Sequence, residues 1–312
     1  MRLPHPALLA AAALATGLAA CAADGGDPGT AASAAASEGP VQTGAFPVEI
    51  EHVHGTTTIE QEPQRVVSVG FSDQDVVLDF EAVAALEPDL IVGLSSGMTA
   101  SDYELLSQIA PTPAQSGDFP DFGMPWQEKT LVVGEALGRT GQAEEVVAKT
   151  EAVIEAARAE HPEFEGATAA VSFLFDGQPG AYASTDTRAR LMADLGFQTP
   201  AQFEELAGDA FFFTVSPEQI TTLDAEVLVW IVGSEAEAEA EAANIAELPT
   251  RSILTAAQEG REVLTDAGVS GALSFSSPLS LPYALEQLVP ELALAVDGDP
   301  TTEVPSAAAL AR

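Results

Sequence analysis

An internal repeat constrains the fold of this chain more than any other feature. Residues 80–92 align without a gap on residues 217–229, and Asp89 meets Glu226 in that alignment. In each copy, the apolar spacing predicts a short amphipathic helix, a turn and a buried β-strand. Two copies of one helix–turn–strand unit predict an α/β protein with two lobes of related design.

The longest helical pattern lies between the two copies. Ala143, Val147, Thr150, Ile154 and Ala157 recur at alternating spacings of four and three residues, with Val146 and Val153 beside them, and Pro162 ends the pattern. Roughly twenty residues of α-helix span about 30 Å, which is the width of a small domain. The pattern therefore predicts a helix that joins the two lobes.

The beginning of the chain reads as a targeting signal. A small-apolar run from Ala7 to Ala20 has the length of a signal-peptide core, and it stops just before Cys21. This arrangement resembles a bacterial lipoprotein signal, in which Cys21 becomes the lipidated first residue. The alternative is a secreted protein that is cut after Ala-x-Ala, with an incidental cysteine. The expected organisation is a signal peptide at 1–20, a flexible tether at 21–45, an N-terminal lobe at 46–139, a linking helix at 140–162 and a C-terminal lobe at 163–312.

Composition excludes several classes of protein. The chain has 48 acidic residues against 11 basic ones and a net charge of −37, so nucleic-acid binding is excluded on electrostatic grounds. A single cysteine excludes a disulfide framework and any multi-thiolate metal site. There is no Gly-x-Ser-x-Gly elbow and no phosphate-binding glycine loop, so we expect no enzymatic activity.

Local patterns predict further elements. Alternating residues from Phe46 to His54 predict a hairpin that turns at Gly55, and an apolar run predicts a strand at 169–175. Asp186 is expected to cap a helix that Gly196 ends. Two more helices are expected at 252–259 and at 279–294, the second interrupted by Pro282 and Pro290, before an irregular tail.

Several segments resemble the substrate-binding lipoproteins of iron–siderophore ABC importers. The matching segments are residues 71–75, 80–91, 103–113, 125–128, 188–190, 194–197 and 274–283. The resemblance implies two α/β lobes, each a central, mainly parallel sheet flanked by helices, joined by one long backbone helix. The lobes would close on a ferric siderophore, and the protein would dock on an ABC permease through one glutamate from each lobe. Glu81 and Glu218 fall at those docking positions, although acids are also common in first helical turns for dipole reasons.

One departure from that family concerns the first lobe. In relatives, the helix that begins at residues 72–75 is followed by a glycine turn, a second strand and an aromatic-rich segment. Here Leu78 runs directly into Asp79-Phe80-Glu81, so one βα unit, on the order of forty residues, is expected to be missing. The two helices would then fuse into one over residues 73–86.

Candidate ligand-binding residues are identified by the scarcity of basic residues in this chain and by the position of other residues near predicted loops. Arg188 and Arg190 stand out in an acidic chain, because a guanidinium binds the anionic oxygens of a ferric chelate well. The alternative for both is pairing with Asp186 or Asp194 on a helix surface. Aromatic and polar residues near predicted loops complete the candidate set, with core packing or ordinary turn chemistry as the alternative: Tyr103, Trp126, Tyr182, Ser274 and Phe275.

The sequence therefore predicts a solute-binding protein that captures a ferric siderophore and delivers it to a membrane permease. We expect a monomer without a cofactor, held to the extracytoplasmic side of the cell membrane by lipid on Cys21. His52 and His54 share one strand face, but the chain has too few histidines for a metal site. The alternatives are a haem or corrinoid carrier of the same architecture, or a surface lipoprotein whose transport function is impaired by the missing segment.

Overall fold

The computed structural model describes residue 44 and residues 46–70, 80–233, 235–297, 299 and 301–310. The predicted signal peptide, Cys21, nearly all of the tether and the start of the fused helix lie outside the described residues. The described strands are β1 (Val48–His52), β2 (Gly55–Ile59), β3 (Val66–Ser68), β4 (Leu90–Val92), β5 (Ala169–Phe175), β6 (Gln178–Tyr182), β7 (Phe212–Thr214), β8 (Val227–Trp230) and β9 (Glu262–Leu264). The described α-helices are α1 (Phe80–Ala85), α2 (Ala100–Leu106), α3 (Trp126–Ala136), α4 (Thr140–Glu160), α5 (Thr187–Asp194), α6 (Gln202–Ala207), α7 (Ala238–Ala246), α8 (Thr255–Gln258), α9 (Ala267–Phe275) and α10 (Ser280–Ala295).

The N-terminal part consists of two small sheets. β1 and β2 form the predicted antiparallel hairpin, but the turn lies at Val53 and His54. Gly55, where the turn was expected, is the first residue of β2 and pairs with His52. β3 and β4 pair in parallel, with Val66 opposite Leu90. Residues 71–79 are not described, so the missing βα unit stays a prediction.

The internal repeat is visible in the hydrogen bonds as well as in the sequence. The Asp89 carboxylate accepts from the backbone N–H of Arg65 at 2.7 Å, just before β3. Its aligned partner, Glu226, accepts from the backbone N–H of Thr168 at 2.7 Å, just before β5. Each carboxylate thus anchors the start of the neighbouring parallel strand. The copies differ in their helix, which is α in the first and 3-10 over Pro217–Leu223 in the second.

The C-terminal part is built on a five-stranded sheet of order β7-β6-β5-β8-β9. β8 pairs in parallel with both β5 and β9, whereas β6 pairs antiparallel with β5 and β7, so this sheet is mixed rather than mainly parallel. The physical reason is the tight turn at Asp176-Gly177, where both residues have positive φ (48° and 73°) and reverse the chain into a hairpin.

The long helix predicted between the two repeat copies is observed as α4. Its buried residues are Ala143, Val147, Thr150 and Ile154, four of the five in the predicted stripe, whereas Ala157 is half-buried and the flanking Val146 and Val153 are exposed. This stripe packs against α3 on the N-terminal side and against α10 and α5 on the C-terminal side. No helix in the described ranges is long and apolar enough to cross a membrane.

Three local predictions are corrected. The helix expected at 252–259 is a 3-10 turn over Arg251–Ile253 and the short α8, because Leu254 adopts an extended ψ of 137° between them. α10 is continuous, because Pro282 lies in its first turn, where no N–H is needed, and the helix runs through Pro290. The tail is not irregular throughout: a 3-10 helix over Pro305–Leu310 contacts β9 and α7 and buries Leu310.

A basic cleft as the candidate ligand-binding site

A cavity of about 410 Å³ opens beyond the ends of β3 and β4, against the first turns of α3 and the segment that follows α9. The carboxyl ends of parallel strands are a common position for binding sites in α/β proteins, because loops there converge. Gly70 permits the close packing at this edge, since a Cβ atom would lie 3.1 Å from the Ser95 carbonyl oxygen.

A smaller cavity of about 30 Å³ adjoins the first and shares Ser95, Lys129 and Phe275 with it. Asp186, Arg188 and Ser274 add polar side chains to the smaller cavity. We call these two adjoining cavities the basic cleft. The basic cleft therefore has walls from both the N-terminal and the C-terminal parts of the chain.

Arg188 is the most firmly held cation of the cleft. Asp186 caps α5 through the Arg188 N–H and also accepts from Arg188 Nη1 at 2.8 Å. The Ser274 hydroxyl accepts from Arg188 Nε and Nη2 at 3.2 and 2.8 Å, and the Tyr182 ring lies 4.2 Å from the guanidinium carbon. Burial raises the pKa of the Asp186 carboxyl, and the neighbouring Arg188 guanidinium opposes that rise. The pair is thus a buried, orientated ion pair rather than the helix-surface pair of the alternative interpretation.

Arg190 binds the N-terminal part of the chain. Its Nη1 donates to the carbonyl oxygen of Gly123 at 2.6 Å, and its guanidinium lies 5.8 Å from the Phe119 ring centroid. Arg190 lines a separate cavity of about 210 Å³ together with Trp126 and Asp194. Burial lowers the pKa of the Arg190 guanidinium, although the side chain remains cationic.

Aromatic side chains form the apolar walls. Trp126 is 6% exposed and lines the larger cavity, and Phe275 lies at the rim, 57% exposed. Phe122 and Phe211, from the two parts of the chain, line the smaller cavity with ring centroids 5.8 Å apart. The Trp126 Nε1 and the Ser95 hydroxyl are buried and have no hydrogen-bond partner within the described residues. Polar atoms of this kind beside a cavity are suited to bind an oxygen-rich ligand.

The loop that carries Phe122 is organised by one buried side chain. Gln115 is 7% exposed, and its Nε2 donates to the Phe119 carbonyl oxygen at 3.1 Å. Its Oε1 accepts from the Phe122 N–H at 3.0 Å. Gln115 therefore holds Phe122 in a position to meet Phe211 and Gly123 in a position to meet Arg190.

Tyr103 lies apart from the other predicted ligand residues. It belongs to α2, where its ring lies 5.0 Å from the His52 ring centroid and 5.1 Å from that of His54. Tyr103 lines neither cavity of the basic cleft. Across the described chain, no group of three or more His, Cys, Asp or Glu side chains could hold a metal ion.

The two predicted docking glutamates are both exposed, and each lies in the first turn of its helix. Glu218 also accepts hydrogen bonds from the backbone and from Ser216, and these bonds lower the pKa of its carboxyl. Neither glutamate lines the basic cleft, so both are accessible to a macromolecular partner.

Five of the residues predicted from the sequence lie at this cleft or next to it, but the sequence missed others. Trp126, Arg188, Ser274 and Phe275 line the cleft, and the Tyr182 ring packs against the Arg188 guanidinium. The missed lining residues include Ser95, Phe122, Lys129 and Phe211. Lys129 could have been found, because it is one of two lysines in the chain and directly follows the matched segment 125–128. For the others, the sequence carries no signal that separates them from ordinary loop residues.

Comparison with known proteins gives one family and several solved structures. The model of the family described as "Periplasmic binding protein" matches residues 46–268. A periplasmic solute-binding protein of Mycobacterium smegmatis is 27% identical, with a TM-score of 0.67, covering 80% of this chain and 99% of that one. No curated protein matches the chain.

Two further structures share the fold. PiaA of Streptococcus pneumoniae, solved in complex with ferrichrome, is 22% identical with a TM-score of 0.67, covering 81% of this chain and 99% of its own. SirA of Staphylococcus aureus, solved with staphyloferrin B, is 18% identical with a TM-score of 0.61, covering 81% of this chain and 99% of its own.

Proposed function

The chain belongs to the periplasmic binding protein family, and we propose that it captures a ferric siderophore in the basic cleft and delivers it to an ABC permease. One observation carries the proposal. Three of the chain's 11 basic residues, Lys129, Arg188 and Arg190, gather at or beside the cleft, in a protein whose net charge is −37. A concentration of cations against the charge of the whole molecule favours a ligand with anionic oxygen atoms.

The walls fit the organic part of such a ligand. A siderophore encloses iron in oxygen donors and presents an apolar or aromatic backbone outside. Trp126, Phe122 and Phe275 supply apolar surface, and Ser95 and Ser274 supply hydroxyl groups. The iron arrives already chelated, so no protein side chain needs to coordinate it, and the function requires binding and release without covalent chemistry. Because PiaA was solved in complex with ferrichrome and SirA with staphyloferrin B, the ferric complexes of these two siderophores are the first ones to test.

Delivery and location are part of the proposal. Exposed Glu81 and Glu218 would contact the permease, while lipid on Cys21 would hold the protein at the extracytoplasmic face of the membrane. The carrier would act as a monomer, with the membrane reached through its anchor rather than through a spanning helix. Mass spectrometry of the N-terminal peptide tests the lipid, since an unmodified Cys21 in the membrane fraction would contradict it.

The decisive experiment is a tryptophan-fluorescence titration with preformed ferric complexes of a hydroxamate, a catecholate and citrate. Haem and a corrinoid are titrated separately, because they are the alternative ligands. Trp126 lines the cleft, so an iron complex bound there should quench its emission. We expect quenching with a Kd of about a micromolar or tighter for at least one siderophore class. Binding of haem or the corrinoid alone, or of no compound, would overturn the proposal.

A further inference from the structure

Lys129 occupies the junction of the basic cleft. It lies in the first part of α3 and lines both the cavity of about 410 Å³ and the smaller one of about 30 Å³. Its side chain is half-buried. An ammonium group at this junction is within reach of a ligand in either cavity, whereas Arg188 lines only the smaller one.

The other two cations at or beside the basic cleft already have protein partners. Arg188 bonds to the Asp186 carboxylate and to the Ser274 hydroxyl, and Arg190 bonds to the Gly123 carbonyl oxygen. Within the described residues, the Lys129 ammonium has neither an ion-pair partner nor a hydrogen-bond acceptor. Asp186 neutralises Arg188, and Arg190 lines a different cavity, so among the residues that line the basic cleft the positive charge left for a ligand to balance is that of Lys129.

The surroundings of Lys129 disfavour its charge in the free protein. Burial lowers the pKa of its ammonium group to about 8; Asp186 opposes this fall, and Arg188 and Arg190 add to it by repulsion. These three charged groups, all on or at the cap of α5, are the ones that act on Lys129. A half-buried ammonium with no partner costs stability, because its desolvation is not offset. An anionic ligand in the cleft would supply the missing partner.

We propose that Lys129 is the specificity-determining residue of the cleft and selects anionic ferric chelates over neutral ones. The inference rests on the proposed function and adds the charge class of the ligand. Each catecholate contributes two negative charges and each hydroxamate one, so a ferric tris-catecholate is a trianion and a ferric tris-hydroxamate is neutral. The trianion gains the unpaired ammonium as a counter-charge, and the neutral complex gains little from it.

The test compares the wild type with Lys129→Met and Lys149→Met. Methionine keeps the length of the lysine stem and removes the charge. Lys149 is the only other lysine and is exposed on α4, which makes it the matched control. Affinities are measured by calorimetry for a ferric tris-catecholate and for ferrichrome, the neutral hydroxamate complex. We expect Lys129→Met to bind the trianion at least about tenfold more weakly. Ferrichrome binding should change by less than about threefold, and Lys149→Met should match the wild type for both.

Two further readouts separate a charge role from a structural one. Lys129 loses its charge as the pH rises through its pKa, so the wild type should bind the trianion about tenfold more weakly at about pH 9 than at about pH 7. Lys129→Met should show no such dependence. Its thermal stability should equal or exceed that of the wild type, because an unpaired half-buried charge has been removed.

The outcomes distinguish this inference from the proposed function. If the wild type binds no ferric chelate, the proposed function fails and the inference fails with it. If the wild type binds chelates but prefers the neutral one, or if Lys129→Met weakens both complexes equally, the proposed function stands and the inference is overturned. If Lys129→Met shows the same pH dependence of trianion binding as the wild type, the inference is overturned as well.

Discussion

Asp186 and Arg188 form a buried ion pair two residues apart, in which the carboxylate both caps α5 and accepts from Arg188 Nη1 at 2.8 Å. The side chains are only 3% and 7% exposed. Because the same carboxylate fixes the helix start and the guanidinium, the orientation of Arg188 in the basic cleft is coupled to the folding of α5. The local sequence Asp-Thr-Arg thus builds a cleft cation and its support together.

Asp186→Asn should destabilise the protein strongly. Asparagine retains the cap but leaves the buried guanidinium without its counter-charge, which typically costs about 3–5 kcal/mol. Urea denaturation measures the change in the free energy of unfolding. The control is Glu165→Gln, which breaks the exposed Arg158–Glu165 pair and should cost at most about 1 kcal/mol. Equal losses in the two variants would contradict the role assigned to burial.

Trp126→Phe should abolish most of the ligand-induced quenching while leaving the fold intact. Trp126 lines the cleft and its Nε1 has no hydrogen-bond partner in the described part of the chain, so phenylalanine loses only packing. Trp230 is fully buried in β8 and its Nε1 donates to Glu262 at 2.8 Å, so it reports on the fold rather than on the ligand. Fluorescence titration of the variant gives the result. Quenching that survives at wild-type amplitude would mean that the ligand does not bind beside Trp126.

Gln115→Leu should loosen the loop that carries Phe122 and Gly123. The substitution leaves two partly buried backbone groups, the Phe119 carbonyl oxygen and the Phe122 N–H, without their side-chain partner, at a cost of at most about 1–3 kcal/mol. Loss of these two hydrogen bonds should be accompanied by faster amide exchange over residues 116–123 and by weaker ligand binding. Gln108→Leu is the matched control, because Gln108 is exposed and bonds only to the preceding helical turn. If both variants behave alike, Gln115 does not organise the loop.

His52 should make the fold less stable in mild acid. Burial, and then repulsion by His54, lower the pKa of the His52 ring in the folded protein. The unfolded chain, with a pKa of about 6.5, then takes up a proton that the folded protein does not. The contribution of His52 is therefore fully present above about pH 6.5 and declines as the pH falls below it. Denaturation at about pH 7 and about pH 5 should show a smaller loss for His52→Gln than for the wild type.

Charge reversal at both proposed docking positions should separate binding from transport. Glu81→Arg with Glu218→Arg leaves the basic cleft unaltered, since neither residue lines it, so siderophore affinity should equal that of the wild type. Uptake of radiolabelled iron in cells should be lost, because the two carboxylates proposed to contact the permease are replaced by cations. Reversal of Glu163 and Glu165, which lie outside the repeat, is the control that should transport normally. Normal uptake in the docking variant would refute the assignment.

Much of the fold could be predicted because helices and strands leave regular spacings of apolar residues over short stretches of sequence. The repeat aligned Asp89 with Glu226, and the structure shows in addition that each carboxylate accepts a hydrogen bond at the start of a neighbouring strand. Four of the five residues predicted for the buried stripe of α4 are buried. The hairpin at Asp176-Gly177 was missed, although Asp-Gly is a recognised turn signal. Pro282 and Pro290 were wrongly expected to interrupt α10, because their effect depends on their positions within the helix.

The site was predicted less completely, for a physical reason. The sequence by itself determined the α/β repeat, the acidic composition and the scarcity of cations, which made Arg188 and Arg190 candidates. Only the tertiary structure decided that Lys129 and Arg188, 59 positions apart in sequence, share one cavity, and that Tyr103 packs on the hairpin histidines instead. Helix and strand periodicities are local, whereas a cleft is formed by loops whose positions depend on how α3, α5 and α9 pack on one another. The net negative charge of this protein could therefore be read from its sequence, but the position of the basic cleft could not.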